Sequence, residues 1–124
     1  MVFTLLGSVP SKKNARNIFV NKKTGKIGNL PSARYKKWHR EQSAALEGAF
    51  KGLPISVPVK ITMDFYLIDK RRRDLSNMVE SINDLLVDMM ILKDDYWAII
   101  QEQHTTFKGI DRENPRTIIH LEVL

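Results

Sequence analysis

The spacing of hydrophobic positions changes period several times along this chain, and each change marks an element. Val2 to Leu6 reads as a short strand, stopped by Gly7-Ser8-Val9-Pro10. From Ser11 to Pro31 the chain is polar and basic. Within it, Ile18-Phe19-Val20, the turn Asn21-Lys22-Lys23-Thr24-Gly25 and Lys26-Ile27 predict a small hairpin. Ser32 is placed to cap a helix from Ala33 to Phe50, whose apolar stripe includes Trp38, Ala45, Leu46, Ala49 and Phe50, with Gly52 and Pro54 as its stop. Val57 to Leu67 alternates as a strand, with Val59, Ile61, Met63 and Phe65 on one face and Lys60, Thr62 and Asp64 on the other. A second helix follows from Leu75 to Met89, its apolar positions at helical spacing and Asp74 well placed to cap it. Ile91 to Asp95 reads as a turn into a strand over Tyr96 to Phe107. A polar loop with Gly109 and Pro115 then leads to a last strand, Thr117 to Val123. The order β, hairpin, α, β, α, β, β predicts an α+β fold in which two main helices pack on a mixed β-sheet. Trp38, which shares a helix face with Tyr35, and the Met89-Met90 pair are expected in the core.

Length and composition narrow the class. The 124 residues suit one domain, 1–124, and 43% hydrophobic with 27% charged residues is ordinary for a globular chain. No apolar run approaches the roughly 20 residues of a membrane-spanning helix. The first residues lack a basic leader, so the expectation is a cytoplasmic chain without membrane association. Without cysteine there is neither a disulfide framework nor a thiolate zinc site.

Charge says more through its distribution than through its sum of +6. Residues 1–40 hold no acid, yet carry Lys12, Lys13, Arg16, Lys22, Lys23, Lys26, Arg34, Lys36, Lys37 and Arg40. A second basic knot is Lys70-Arg71-Arg72-Arg73, while Asp74, Glu80, Asp84, Asp88, Asp94 and Asp95 gather close behind it. Basic surface beside clustered carboxylates favours a polyanion held against an acidic site over a merely solvated basic face.

Asp74 opens a helix and Asp94-Asp95 sits in the turn before the next strand. They share an edge only if the returning strand brings them together, and plain helix capping plus a turn aspartate is the competing reading. If they meet, crowded carboxylates raise one another's pKa, and a hard divalent cation relieves the repulsion. Arg71 to Arg73 and the helix N-terminus are suited to flanking phosphates. His39, His104 and His120 are too scattered for a metal pair and are expected in structural or surface roles.

Four segments in order resemble the RusA family of Holliday junction resolvases. They are Pro10-Ser11-Lys12-Lys13-Asn14, then Val57 through Arg71-Arg72-Arg73-Asp74-Leu75-Ser76-Asn77, then Asn83-Asp84-Leu85-Leu86, and finally Leu92-Lys93-Asp94-Asp95. The resemblance implies a metal-dependent endodeoxyribonuclease that cuts four-way DNA junctions as a homodimer, with Mg²⁺ or Mn²⁺ as its ion. Asp74 matches the family's first catalytic aspartate, Asp95 that of its second motif, and Asp94 the acidic neighbour. Two positions depart from the pattern. Ser76 stands where the family has a second aspartate, and Glu80 where it has a lysine. Glu80 lies one helical turn from Ser76, so the expectation is a relocated ligand, set against a solvated Glu80 in an impaired enzyme.

On this reading Asp74, Asp95 and Glu80 are catalytic, and with Asp94 they hold the metal. Lys12, Lys13, Arg16, Arg71, Arg72, Arg73 and Asn77 contact DNA, while Ser76 and Asp84 support the ligands. The rival readings are a junction-binding protein without catalysis and a general nuclease acting on flaps.

Overall fold

In the computed structural model the described residues are 1–11, 16–20, 23 and 27–124, with backbone alone for 16–20 and 27–31. The elements run β1 (Val2–Leu6), β2 (Arg16–Val20), β3 (Ile27–Pro31), α1 (Ala33–Leu46), β4 (Val59–Leu67), α2 (Leu75–Asp88), β5 (Ile100–Ile110) and β6 (Arg116–Val123). This is the expected α+β order. β2 and β3 form the hairpin, and the main sheet has four strands in the order β1-β6-β4-β5.

The period-2 pattern of β4 sets the layers. Val59, Ile61, Met63 and Phe65 are buried, while the alternate Lys60, Thr62, Asp64 and Tyr66 keep partial access to solvent. Phe3 and Leu5 of β1, and Thr117, Ile119 and Leu121 of β6, continue the buried side. Met78, Val79, Ile82, Leu85 and Leu86 of α2 join the same core, with Tyr35, Trp38 and Leu46 of α1. On the other side Asp64 pairs with His120 at 3.3 Å, and the Arg116 guanidinium stacks 3.8 Å from the centroid of the Tyr66 ring. Leu85 is fully buried, so Leu85→Ala is expected to cost about 2–5 kcal/mol by lost transfer energy plus the cavity left behind. A urea unfolding midpoint unchanged by that substitution would remove Leu85 from the core.

Strand direction decides where the two ends of α2 lie. β4 is antiparallel to β6 but parallel to β5, in register Val59↔Ile100 through Leu67↔Ile110. Parallel neighbours need a crossover, and α2 is that crossover. It starts beyond the C-terminal end of β4 and delivers the chain back to the N-terminal end. There Ile55 and Leu92 form an isolated parallel bridge, and the Lys93 amide donates to the Ile55 carbonyl at 2.9 Å.

Three sequence expectations shift. α1 ends at Leu46 rather than Phe50, because Gly48 takes a left-handed φ of 76° that reverses the chain before Gly52 and Pro54. Ala49 beyond the helix is exposed and Phe50 half-buried, while Ala45, still within α1, faces solvent rather than the core. The fifth strand begins at Ile100, since Tyr96 accepts amide hydrogen bonds from Ile99 and Ile100, both at 3.0 Å, and closes a turn first. Met90 is 64% exposed at φ 59° and leaves the core that Met89 packs against. Among the described residues, no helix is long and apolar enough to cross a membrane.

Candidate functional site

One candidate centre lies where β4 gives way to α2. The turn is organised by Asp69, whose carboxylate accepts the Arg71 amide at 3.0 Å and meets the Arg73 guanidinium at 2.7 Å. Arg73 also donates to the carbonyls of Asp69 and Arg71. The Arg71 amide, followed by Arg73, holds the Asp69 carboxyl below its ordinary pKa. Arg73 is therefore a strut of the turn, whereas Arg71 projects with 85% of its side chain exposed. Arg72 and Arg73 line a pocket with Arg34, Asp74, Asn77, Met78 and the segment Val9-Pro10-Ser11. That segment is fastened to the helix by Ser81, whose hydroxyl donates to the Pro10 carbonyl at 2.7 Å.

Asp74 occupies the N-cap position, but its side chain makes no capping hydrogen bond. The expectation that it caps α2 is therefore corrected. The carboxylate stays exposed, beside helix amides whose dipole favours an anion. An aspartate at this position ordinarily satisfies an amide, so an uncommitted one is available for other ligands.

The second candidate centre is the turn Asp94-Asp95. The Asp95 amide donates to Asp94 Oδ1 at 2.7 Å. Crowding by surrounding protein, then the negative charge of Asp84 and contact with Asp94, push the Asp95 carboxyl above its ordinary pKa although its side chain reaches solvent. Such mutual repulsion is what a bound cation would relieve.

These two centres do not meet within one chain. Asp74 follows the C-terminal end of β4, and Asp95 precedes the N-terminal end of the parallel β5. The fourteen residues of α2 separate them, a span of about 21 Å. Among the described residues, no group of three or more acidic or histidine side chains is arranged to hold a metal. The structure thus joins Asp84 with Asp94 and Asp95, and leaves Asp74 with Asn77 and the arginines.

Ser76 and Glu80 lie between these ends. Both line an open groove with Val79, Asn83, Gln103 and Thr105, at the seam of α2 and β5. Asn83 and Gln103 close that seam by exchanging two amide hydrogen bonds of 3.2 and 2.9 Å. Lys12 and Lys13 fall outside the described residues, and Arg16 lies on β2. Arg34 is not legible in the sequence as a pocket residue because it belongs to a different element from the arginine knot. Its sequence signal is its place in the basic run of residues 1–40, two residues after the helix cap. Tyr35 and Trp38 are buried with their rings 5.8 Å apart, which bears out core packing for Trp38. His39 reaches Asp88 at 2.8 Å, so it and His120 serve as side-chain partners, while His104 lies exposed on β5.

A crossover helix on a mixed sheet, with a free carboxylate among arginines at one end and crowded aspartates at the other, defines a chain suited to gripping a polyanion beside acidic groups. It belongs to the endodeoxyribonuclease RusA family, whose model matches residues 9–122. A similar protein is the crossover junction endodeoxyribonuclease RusA of Aquifex aeolicus (strain VF5). The two are 28% identical over 116 residues, which cover 94% of this chain and 86% of that protein.

Proposed function

We propose that residues 1–124 act as a single nuclease domain that hydrolyses phosphodiester bonds at four-way DNA junctions in recombination and repair, as a homodimer dependent on Mg²⁺ or Mn²⁺. The observation that carries this reading is the uncommitted Asp74 carboxylate at a helix N-terminus, among Arg34, Arg72 and Asn77, in a chain of this family. Arg34 and Arg72 grip phosphate, Arg71 reaches a flanking one, and Arg73 keeps the turn in shape.

The donors are right for a hard divalent ion, since carboxylate oxygens suit Mg²⁺, but one chain divides them between the ends of α2. Two copies restore the set. Asp74 with Glu80 of one protomer faces Asp95 with Asp94 of the other, so a two-fold dimer has two composite centres, one for each strand cut. Asp84 and Ser76 support these ligands from the same helix. When bound there, the cation would acidify a coordinated water and offset charge on the phosphodiester.

The test is cleavage of a labelled synthetic four-way junction with Mg²⁺, against linear duplex and flap controls. Cutting of the junction alone supports the reading. Binding without cutting would assign an impaired junction-binding protein, and equal cutting of flaps a general nuclease.

Binding is expected to be steeply salt-dependent, with a log–log slope of about −0.9 per phosphate contacted. Arg34→Ala combined with Arg72→Ala should make that slope shallower by about two contacts per protomer engaged. An unchanged slope would place DNA on another face.

A further inference from the structure

The backbone around the Asp94-Asp95 turn is pinned on both sides. Before it, the Ile55 amide donates to the Ile91 carbonyl and the Lys93 amide to the Ile55 carbonyl, each at 2.9 Å. After it, the Tyr96 carbonyl accepts the amides of Ile99 and Ile100, and the Val59 amide donates to the Ile99 carbonyl at 2.7 Å. Ile91, Leu92 and Ile99 are buried and anchor the segment from within. Between these fixed points stand Tyr96 and Trp97, 52% and 78% exposed. Trp97 is the most exposed aromatic among the described residues.

The two rings meet edge-to-face, their centroids 6.1 Å apart. Apolar residues scattered singly on a surface need no explanation, but two adjoining rings beside a candidate catalytic aspartate form a patch. A ring already held by its backbone loses little freedom on binding. Trp97 follows Asp95 by two residues, at most about 7 Å of chain. Its partner must tolerate acidic neighbours, because Lys93 is the one cation of residues 91–99 and Asp94 and Asp95 repel phosphate. A nucleobase is flat and uncharged, and its π-face suits an indole whatever the base. In continuous duplex both faces of every base pair are covered by its neighbours. At a branch point the last pair of an arm can lose one of them. An open face beside the cleaved phosphate is therefore a mark of branched DNA that an aromatic ring reads and a cation does not.

We propose that Trp97, steadied by Tyr96, stacks on an open base face at the branch point and makes the Asp95 centre selective for branched over continuous duplex. This inference rests on the junction reading above and adds a specificity-determining residue to it. Arg34, Arg71 and Arg72 act on phosphate and so on any DNA, whereas Trp97 acts only where base stacking is interrupted.

Equilibrium binding of the full chain without divalent cation tests it, on a four-way junction, a flap and a linear duplex. Trp97→Ala should weaken junction binding about tenfold and leave duplex binding unchanged, as loss of one stacked ring does. Trp97→Phe, which keeps a ring, should stay within about threefold of wild type. The salt slope on the junction should be the same for wild type and Trp97→Ala, because no ion contact is lost. Equal weakening on junction and duplex, a shallower salt slope, or Trp97→Phe as weak as Trp97→Ala would each overturn the inference. Weaker association between copies of Trp97→Ala in sedimentation equilibrium would overturn it too, by placing the ring between protomers. The junction reading is judged separately. Wild type and Trp97→Ala that prefer the junction equally keep that reading and sink this inference. Wild type that prefers the flap, with the preference lost in Trp97→Ala, keeps base stacking and sinks the junction reading. Wild type without preference among the three substrates removes both.

Discussion

Asp74→Asn and Asp95→Asn are each expected to lower junction cleavage about a hundredfold or more, and mixing the two inactive proteins is expected to bring activity back. The size of the loss follows from removing several kcal/mol of transition-state stabilisation. The recovery follows from the crossover. α2 holds Asp74 and Asp95 at opposite ends of one chain, so a composite centre takes one residue from each protomer. A mixed dimer then has one centre with both aspartates intact and one with both replaced. With free exchange about half the dimers are mixed, so total nicking should approach roughly one quarter of wild type. Centres confined to single chains would give no recovery at any mixing ratio. Junction binding by either variant should be unchanged or tighter, since a negative charge near phosphate is removed.

The second large effect concerns Glu80. It shares a groove with Ser76, one helical turn away and facing β5. If it supplies the carboxylate missing at position 76, Glu80→Gln should resemble Asp74→Asn, with a much higher Mg²⁺ requirement and a rate lower by about a hundredfold. Ser76→Asp combined with Glu80→Lys should restore cleavage by returning to the family pattern. Helical side chains lean toward the helix N-terminus, the direction Glu80 must reach to approach Asp74. Cleavage measured against Mg²⁺ concentration decides the matter. A wild-type rate and metal midpoint for Glu80→Gln would leave Glu80 as a solvated surface residue.

Much of the fold is legible in the sequence because buried elements carry a period. The alternation in β4 and the helical stripe of α2 match the buried positions closely, since one face of each meets the core. Residue pattern alone starts β5 several residues early because that strand is exposed on both faces, so no period marks where it begins. Tyr96 and Trp97 look strand-like by residue type, yet they sit in a turn. The separation of Asp74 from Asp95 is not legible either. Hydrophobic periodicity does not depend on strand direction, and only the parallel pairing of β4 with β5 puts the two aspartates at opposite ends. Arg34 and Arg72 share a pocket through tertiary packing, which neither segment announces alone.

The parallel crossover also bears on when such a chain could act. Under the composite arrangement a lone protomer is half an enzyme, and the active fraction depends on mass action. At protein concentrations well below the dimer Kd, cleavage would rise with the square of the concentration rather than in proportion to it. Intact DNA in a cell would then meet mostly single chains that cannot cut, while a junction that gathers two of them assembles its own cutter.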